Sequence, residues 1–246
     1  MKAYVVQSGK RIEPFGDHPQ DCLIANVTLR QHQEAALRAV GIDMVPIPDA
    51  TSITDANEHL VFTDQVYCTP ELLKEFLTQS RKQKASTVLC LKPGITTLRT
   101  VVATQDVSMY PDRVEYDVRY VPSGGKVDDC QPIVIEPDVI SDFVPMSTHM
   151  TGSREYRVPL TPLLIVQIDH WANLWSANIA TLLTGISRLL TGPKIGLLVL
   201  AVRARSFNRW KVLRQTNRIG SNCDIHPTAY IEGSTIGITS RSAPER

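Results

Sequence analysis

The side chains best suited to nucleophilic or metal chemistry are scattered along this chain. Its five cysteines (Cys22, Cys68, Cys90, Cys130 and Cys223) are odd in number and form no CxxC pair. That argues against a zinc site and against a secreted disulfide framework, and it fits buried or half-buried thiols in a reducing cytosol. The six histidines are isolated from one another. His18 lies in a loop rich in Gly and Pro, where it either contacts phosphate or is simply exposed. Ser123-Gly124-Gly125-Lys126 has the composition of a phosphate-binding turn without its spacing, and a hairpin turn accounts for it better. Asp64 follows the β-rich run His59–Thr63, so it ends a strand or begins a turn.

Regular elements must position these residues. Ala3–Gln7 reads as a buried strand that enters a loop at Ser8-Gly9. A helix is expected from about Thr28 to Val40, because Leu29, His32, Ala36, Leu37 and Val40 recur at helical spacing and Gly41 sits at the C-terminal cap position. Ile42–Ile47 reads as the next strand, which completes the strand–loop–helix–strand unit of a parallel sheet. A second helix should start at Thr69-Pro70-Glu71, with Thr69 as its cap, and run to about Lys84 before a strand at Ser86–Leu91. Thr100–Thr104, Arg113–Val121 and Gln131–Glu136 read as further β segments.

Near the C-terminus the period changes. Ile219, Ile225 and Ile231 are spaced by six and Ile236 follows after five, with Gly220, Pro227, Ala229, Gly233 and Gly237 between them. A left-handed β-helix needs this pattern, since each flat face of a coil turns one aliphatic residue inward and small residues form the corners. The stretch IGSNCDIHPTAYIEGSTIG resembles the opening coil of the hexapeptide-repeat acyltransferases. In that family a histidine often serves as general base, but His226, just before Pro227, matches a corner spacer position. A single coil cannot bury its own face, and Ile238–Arg246 abandons the pattern as a polar tail, so the repeat is expected to be cut short.

Together with that repeat, the front of the chain resembles the sugar-1-phosphate nucleotidyltransferases over roughly residues 1–91. Met1–Gly9 matches the family's first strand, Arg11-Ile12-Glu13-Pro14 the exit of its phosphate loop, and Pro19–Ile42 the following segment. Leu60–Glu71 matches the strand whose terminal aspartate binds the divalent metal. His170–Asn178 (HWANLWSAN) resembles the Trp-containing helix that joins the transferase sheet to the β-helix. The resemblance implies that Gly9 and Arg11 hold phosphates, with Arg11 as the catalytic cation, and that Asp64 holds Mg2+. The implied substrates are a nucleoside triphosphate and a sugar 1-phosphate, joined with release of pyrophosphate. The departures matter. The loop is shortened to a single glycine, Gln20 replaces a lysine, and the second metal aspartate is unplaced among Asp106, Asp112, Asp117, Asp128 and Asp129. These losses point to weakened or absent transfer, with a non-catalytic scaffold or regulatory module as one rival and a fragment of an acyltransferase as another.

An α/β nucleotidyltransferase-like domain with a mostly parallel sheet and flanking helices is therefore expected over residues 1–160. A helical basic linker (161–218), the first β-helix coil (219–237) and a polar tail (238–246) would follow. The chain has 246 residues, 43% hydrophobic and 21% charged, and its 26 basic and 25 acidic residues name no partner by net charge. Their placement is uneven: no acidic residue lies between Asp169 and Asp224, where eight basic ones do, with Phe207 and Trp210 among the last of them. That stretch suits an anionic membrane surface through 182–218, or a solvated face on an inter-domain helix pair, and no nucleic-acid motif accompanies it. No signal peptide opens the chain and no uncharged apolar run reaches the roughly 20 residues of a membrane span, so a cytoplasmic protein is expected, with homo-oligomers formed through the β-helix.

Overall fold

The computed structural model describes residues 1–53, 56–127, 130–137, 140–145, 155–191, 194–206, 218–219 and 235–236. They fall in two compact units, Met1–Ser187 and Arg188–Arg246.

In the first unit the strand–helix–strand expectation holds. The apolar run Lys2–Val6 forms β1, the two-residue strands Leu23–Ile24 (β2) and Val27–Thr28 (β3) make a small hairpin, and helix α1 covers Leu29–Ala39 before strand β4 at Asp43–Ile47. Thr28 caps α1 reciprocally: its Oγ1 accepts the Gln31 amide at 3.2 Å, and Gln31 Oε1 accepts the Thr28 amide at 3.2 Å. Gly41 follows the helix with φ +73°, a conformation that costs glycine nothing. Strand β5 is His59–Thr63, β6 is Val66–Cys68, α2 is Pro70–Gln83 and β7 is Thr87–Leu91. A short helix α3 (Ile95–Arg99), β8 (Ser108–Met109), β9 (Val114–Val121) and β10 (Gln131–Ile135) come next. Ile140–Pro145 (β11) and Glu155–Leu160 (β12) pair antiparallel, β13 is Ile165–Gln167, and helix α4 runs Trp171–Thr191.

Among the described residues the main sheet has seven strands, in the order β10-β7-β9-β5-β1-β4 with β8 alongside β9. β4 and β5 flank β1, both parallel to it, and β10 is parallel to β7, while β9 runs antiparallel between β5 and β7. This is the expected α/β architecture, with a mostly parallel sheet and flanking helices. Because β4 and β5 leave β1 on opposite sides, the strand order reverses at β1, and the crevice beyond the carboxyl ends of such strands is where ligands meet open α/β sheets.

Ala3, Val5, Leu60, Phe62, Leu89 and Ile133 from the sheet bury against Leu37 of α1 and Leu72, Leu73 and Phe76 of α2. A second cluster gathers Ile12, Cys22, Ile24 and Leu29 from the segment after β1 with Tyr67, Val166, Ile168 and Ala177. It clamps the long loop between α4 and the β6–β13 pair, and so fixes the loop over the sheet's carboxyl edge.

Three local expectations change. Thr100–Thr104 is not a strand: α3 is followed by a single 3-10 turn, Val102–Thr104. Threonine hydroxyls bond their own backbone here, Thr97 Oγ1 to the Gly94 carbonyl (2.9 Å) and Thr100 Oγ1 to the Thr97 carbonyl (2.8 Å), which favours turns over a ladder. Thr69 precedes α2 but does not cap it, because its Oγ1 donates to the Pro162 carbonyl at 2.7 Å. Ser123–Lys126 does turn, with Gly124 at φ +76°, yet it joins no hairpin, since β7 lies between β9 and β10.

In the second unit, helix α5 (Lys194–Ala204) exposes Leu198, Val199 and Val202. Arg218–Ile219 (β14) pairs in parallel with Thr235–Ile236 (β15), Ile219 beside Ile236. The remainder of the expected coil, including His226, and the tail lie outside the described residues. Among the described residues no helix is long and apolar enough to cross a membrane.

Candidate functional site

The chain leaves β1 at Val6 and turns through Ser8 and Gly9, whose φ of +65° is a left-handed conformation that glycine adopts freely. β5 ends alongside it. The Asp64 amide donates to the Val6 carbonyl at 3.0 Å, and Asp64 Oδ1 accepts the Ser8 amide at 3.1 Å. Asp64 is therefore a buried carboxylate, 7% exposed, pinned to the first residues of the loop at the point where the strand order reverses. Its second oxygen carries no hydrogen bond from a described residue.

A third strand end joins them. β13 pairs antiparallel with β6, Gln167 beside Val66. The Ile168 amide continues that register by donating to the Gln65 carbonyl at 2.9 Å, which brings Asp169 to the Gln65 side chain. Gln65, 2% exposed, donates from Nε2 to Asp169 Oδ1 at 2.6 Å. Asp169 Oδ2 accepts the Asp106 amide at 2.7 Å, and Gln167, through its own amide and side chain, bonds Gln105 Oε1 and the Asp106 carbonyl, each at 2.9 Å. Lys10, the residue after Gly9, reaches across to Asp106 Oδ2 (2.7 Å) and Asp169 Oδ1 (3.7 Å). The hydrogen bond it donates to Asp106, with the charge of Asp169, holds the Lys10 ammonium above its usual range despite some burial.

Gly9 thus follows directly on the residue whose amide Asp64 holds. Arg11 is one residue beyond Lys10, exposed, with Nη1 donating to the Gly16 carbonyl at 2.8 Å, so it closes the small Ile12–Asp17 loop. His18 is exposed. Of the unplaced aspartates, Asp106 is at the site. Asp112 pairs with Arg113 and Asp117 with Arg119, while Asp128 and Asp129 lie outside the described residues. Lys10, Gln65 and Asp169 escaped the sequence reading. Asp169 carries the same signal as Asp64, an aspartate closing a β-rich run (LLIVQID), and could have been found by it.

The Trp-containing motif supplies the struts. Asn173, fully buried, accepts the His170 amide (2.9 Å) and the Asp169 amide (3.3 Å) and donates to Thr104 Oγ1 (2.7 Å). Asn178 Oδ1 accepts the Ala25 amide at 2.8 Å, tying α4 to the loop.

Magnesium is a hard ion that takes near-octahedral oxygen ligation at about 2.0–2.1 Å, often from one or two carboxylates with substrate phosphates. Among the described residues no three His, Cys, Asp or Glu side chains gather as a metal site. Asp64 has one oxygen to offer, whereas both oxygens of Asp169 already accept hydrogen bonds and Lys10 lies against it. As arranged, these donors do not fit a resident divalent ion.

No disulfide joins the described cysteines, and burial pushes the Cys68 and Cys90 thiols up to about 12, far from nucleophilic use.

No known protein-family profile matches the chain, and no curated protein sequence does. Among solved structures it is similar to a UDP-glucose pyrophosphorylase from Acinetobacter baumanii, at 8% identity and TM-score 0.44 over 83% of this chain and 98% of that one. It is also similar to a UDP-glucose pyrophosphorylase complexed with UDP-glucose (7% identity, TM-score 0.44, 74% and 98% of the chains). A third is HddC from Yersinia pseudotuberculosis complexed with GMP-PN (10% identity, TM-score 0.38, 74% and 100%). Likeness this loose carries no functional weight, which rests with the site's own residues.

Proposed function

We propose that this chain is a sugar-1-phosphate nucleotidyltransferase-like protein of sugar-nucleotide or surface-polysaccharide metabolism, one that binds a nucleotide's phosphates beyond β1 and β5 and transfers the nucleotidyl group weakly or not at all. The observation that carries this reading is the tie between the Ser8 amide and Asp64 where the strand order reverses. It fixes a short glycine turn, with Lys10 and Arg11 next in the chain, at the carboxyl ends of β1 and β5, where an α/β sheet meets its ligand.

In full transfer, an oxygen of the sugar phosphate would attack the α-phosphorus of the triphosphate and expel pyrophosphate. The backbone at Gly9 and the Lys10 and Arg11 side chains would meet phosphate oxygens. Asp64, with one oxygen to spare, suits a magnesium ion that arrives with the substrate and not a resident one. The shortened loop leaves few amides for a triphosphate. That favours the second reading, from another class: a nucleotide-binding module that scaffolds or regulates.

Pyrophosphate release and calorimetry with a panel of triphosphates and sugar phosphates test both readings. Micromolar nucleotide binding with little or no pyrophosphate release is the expected result. Brisk turnover would make the chain an ordinary enzyme, and absence of nucleotide binding would remove the proposal.

Two contacts belong to the same reading. The β14–β15 pair favours assembly through a repeat continuing the spacing of Ile219 to Ile236. The basic stretch 182–218, led into by the exposed row Trp171, Trp175, Ile179 and Leu182 of α4 (45%, 60%, 39% and 58% exposed), favours contact with an anionic membrane surface.

A further inference from the structure

We propose that Lys10 is the built-in cation of this site, standing against Asp106 and Asp169 where a divalent ion would otherwise bind, so that phosphate is met by an ammonium and not by a resident metal. The inference rests on the reading of the crevice as a phosphate site.

Three facts lead to it. First, Asp169 is nearly saturated. A carboxylate offers about four lone-pair positions, and those of Asp169 face Gln65 Nε2 (2.6 Å), the Asp106 amide (2.7 Å) and the Lys10 ammonium (3.7 Å). Second, the two anchors differ in setting. The Lys10–Asp106 pair is the shorter at 2.7 Å but is exposed on both sides (49% and 74%), whereas Asp169, at 3.7 Å, has a side chain only 13% exposed, where an opposite charge is screened far less. Third, the backbone aims the lysine. The left-handed turn at Gly9 is followed at once by Lys10, whose amide donates to Ser8 Oγ at 3.3 Å, so the side chain crosses to groups 96 and 159 positions further along the chain.

Removing the ammonium alone would leave the carboxylates of Asp106 and Asp169, which both face Lys10, uncompensated around one space. Such a group attracts a hard divalent cation. Lys10 therefore keeps metal out as well as drawing phosphate in.

Calorimetric titration of the full-length protein with Mn2+ alone, in the absence of nucleotide, tests this. The wild type should show no site tighter than the millimolar range, whereas Lys10→Met should gain one Mn2+ site about tenfold tighter or more. The site should vanish again in Lys10→Met/Asp169→Asn and should not appear in Lys10→Arg, which keeps the charge. One tight Mn2+ per wild-type chain, or no gain in Lys10→Met with its far-ultraviolet circular dichroism unchanged, would overturn the proposal. A second titration, of nucleoside triphosphate in the presence of EDTA, should show binding by the wild type and its loss in Lys10→Met. Absence of wild-type binding there would count against the phosphate site while leaving the metal result intact.

Discussion

Glu58 precedes β5, at the end of the sheet opposite Asp64, and its carboxylate accepts from Arg81 Nε at 2.7 Å and Tyr120 Oη at 3.0 Å. The Arg81 hydrogen bond, above all, holds it below its usual value of 4.5. A carboxyl whose folded value is depressed stabilises the fold above its unfolded value, and that contribution is lost as pH falls through the lowered one. Thermal unfolding of Glu58→Gln should therefore differ most from wild type above about pH 5 and converge with it as pH falls through the lowered folded value. Nucleotide binding should be unchanged, because Glu58 is remote from the crevice; a gap that persisted at low pH would refute the assignment. At this scale, Asp64 was legible because a β-rich run leads straight to it. Asp169 ends a similar run, but its partners Gln65 and Lys10 lie more than a hundred positions away, and no periodicity links them. Asn173 and Asn178 were legible only as a family label, whereas in the fold their side-chain amides are struts.

Local chemistry decided most of the elements. The Thr28–Gln31 capping box begins α1, and the pattern Leu29, Ala36, Leu37 turns that helix onto the sheet. Thr28→Ala should cost about 1 kcal/mol and lower the melting temperature by roughly 2–4 °C in a chain of this size, read by calorimetry. No change would mean that the hairpin before it, and not the cap, sets the helix start. The same rule misleads at Thr69, where a tertiary acceptor, the Pro162 carbonyl, competes for the hydroxyl. It misleads again at 100–104, where β-branched composition suggests a strand but threonine hydroxyls satisfy turns. Both misses share a cause: a side-chain oxygen chooses among acceptors that spacing does not reveal.

For the molecule as a whole, the exposed Trp171–Leu182 row and the acid-free stretch from His170 to Cys223 make one prediction. The full chain should float with vesicles containing phosphatidylglycerol and not with neutral ones, and Trp171→Ala/Trp175→Ala should reduce flotation several-fold. Failure to float would remove the membrane reading without touching the nucleotide site. Of the elements up to β10, β1, α1, β4, β5, α2, β7, β9 and β10 followed in order from sequence alone, since caps, glycine turns and apolar periods act over a few residues, whereas the short strands β2, β3, β6 and β8 and the turns at 95–104 did not. The C-terminal six-residue spacing was likewise plain in the sequence. Only the tertiary structure decided that β4 and β5 would flank β1, that β13 would pair with β6, that Asp64 would hold the Ser8 amide and that Lys10 would meet Asp106 and Asp169. The physical reason is that strand order and register are settled by burial over the whole sheet. A site assembled from four strand ends and loops therefore exists only once that burial is complete.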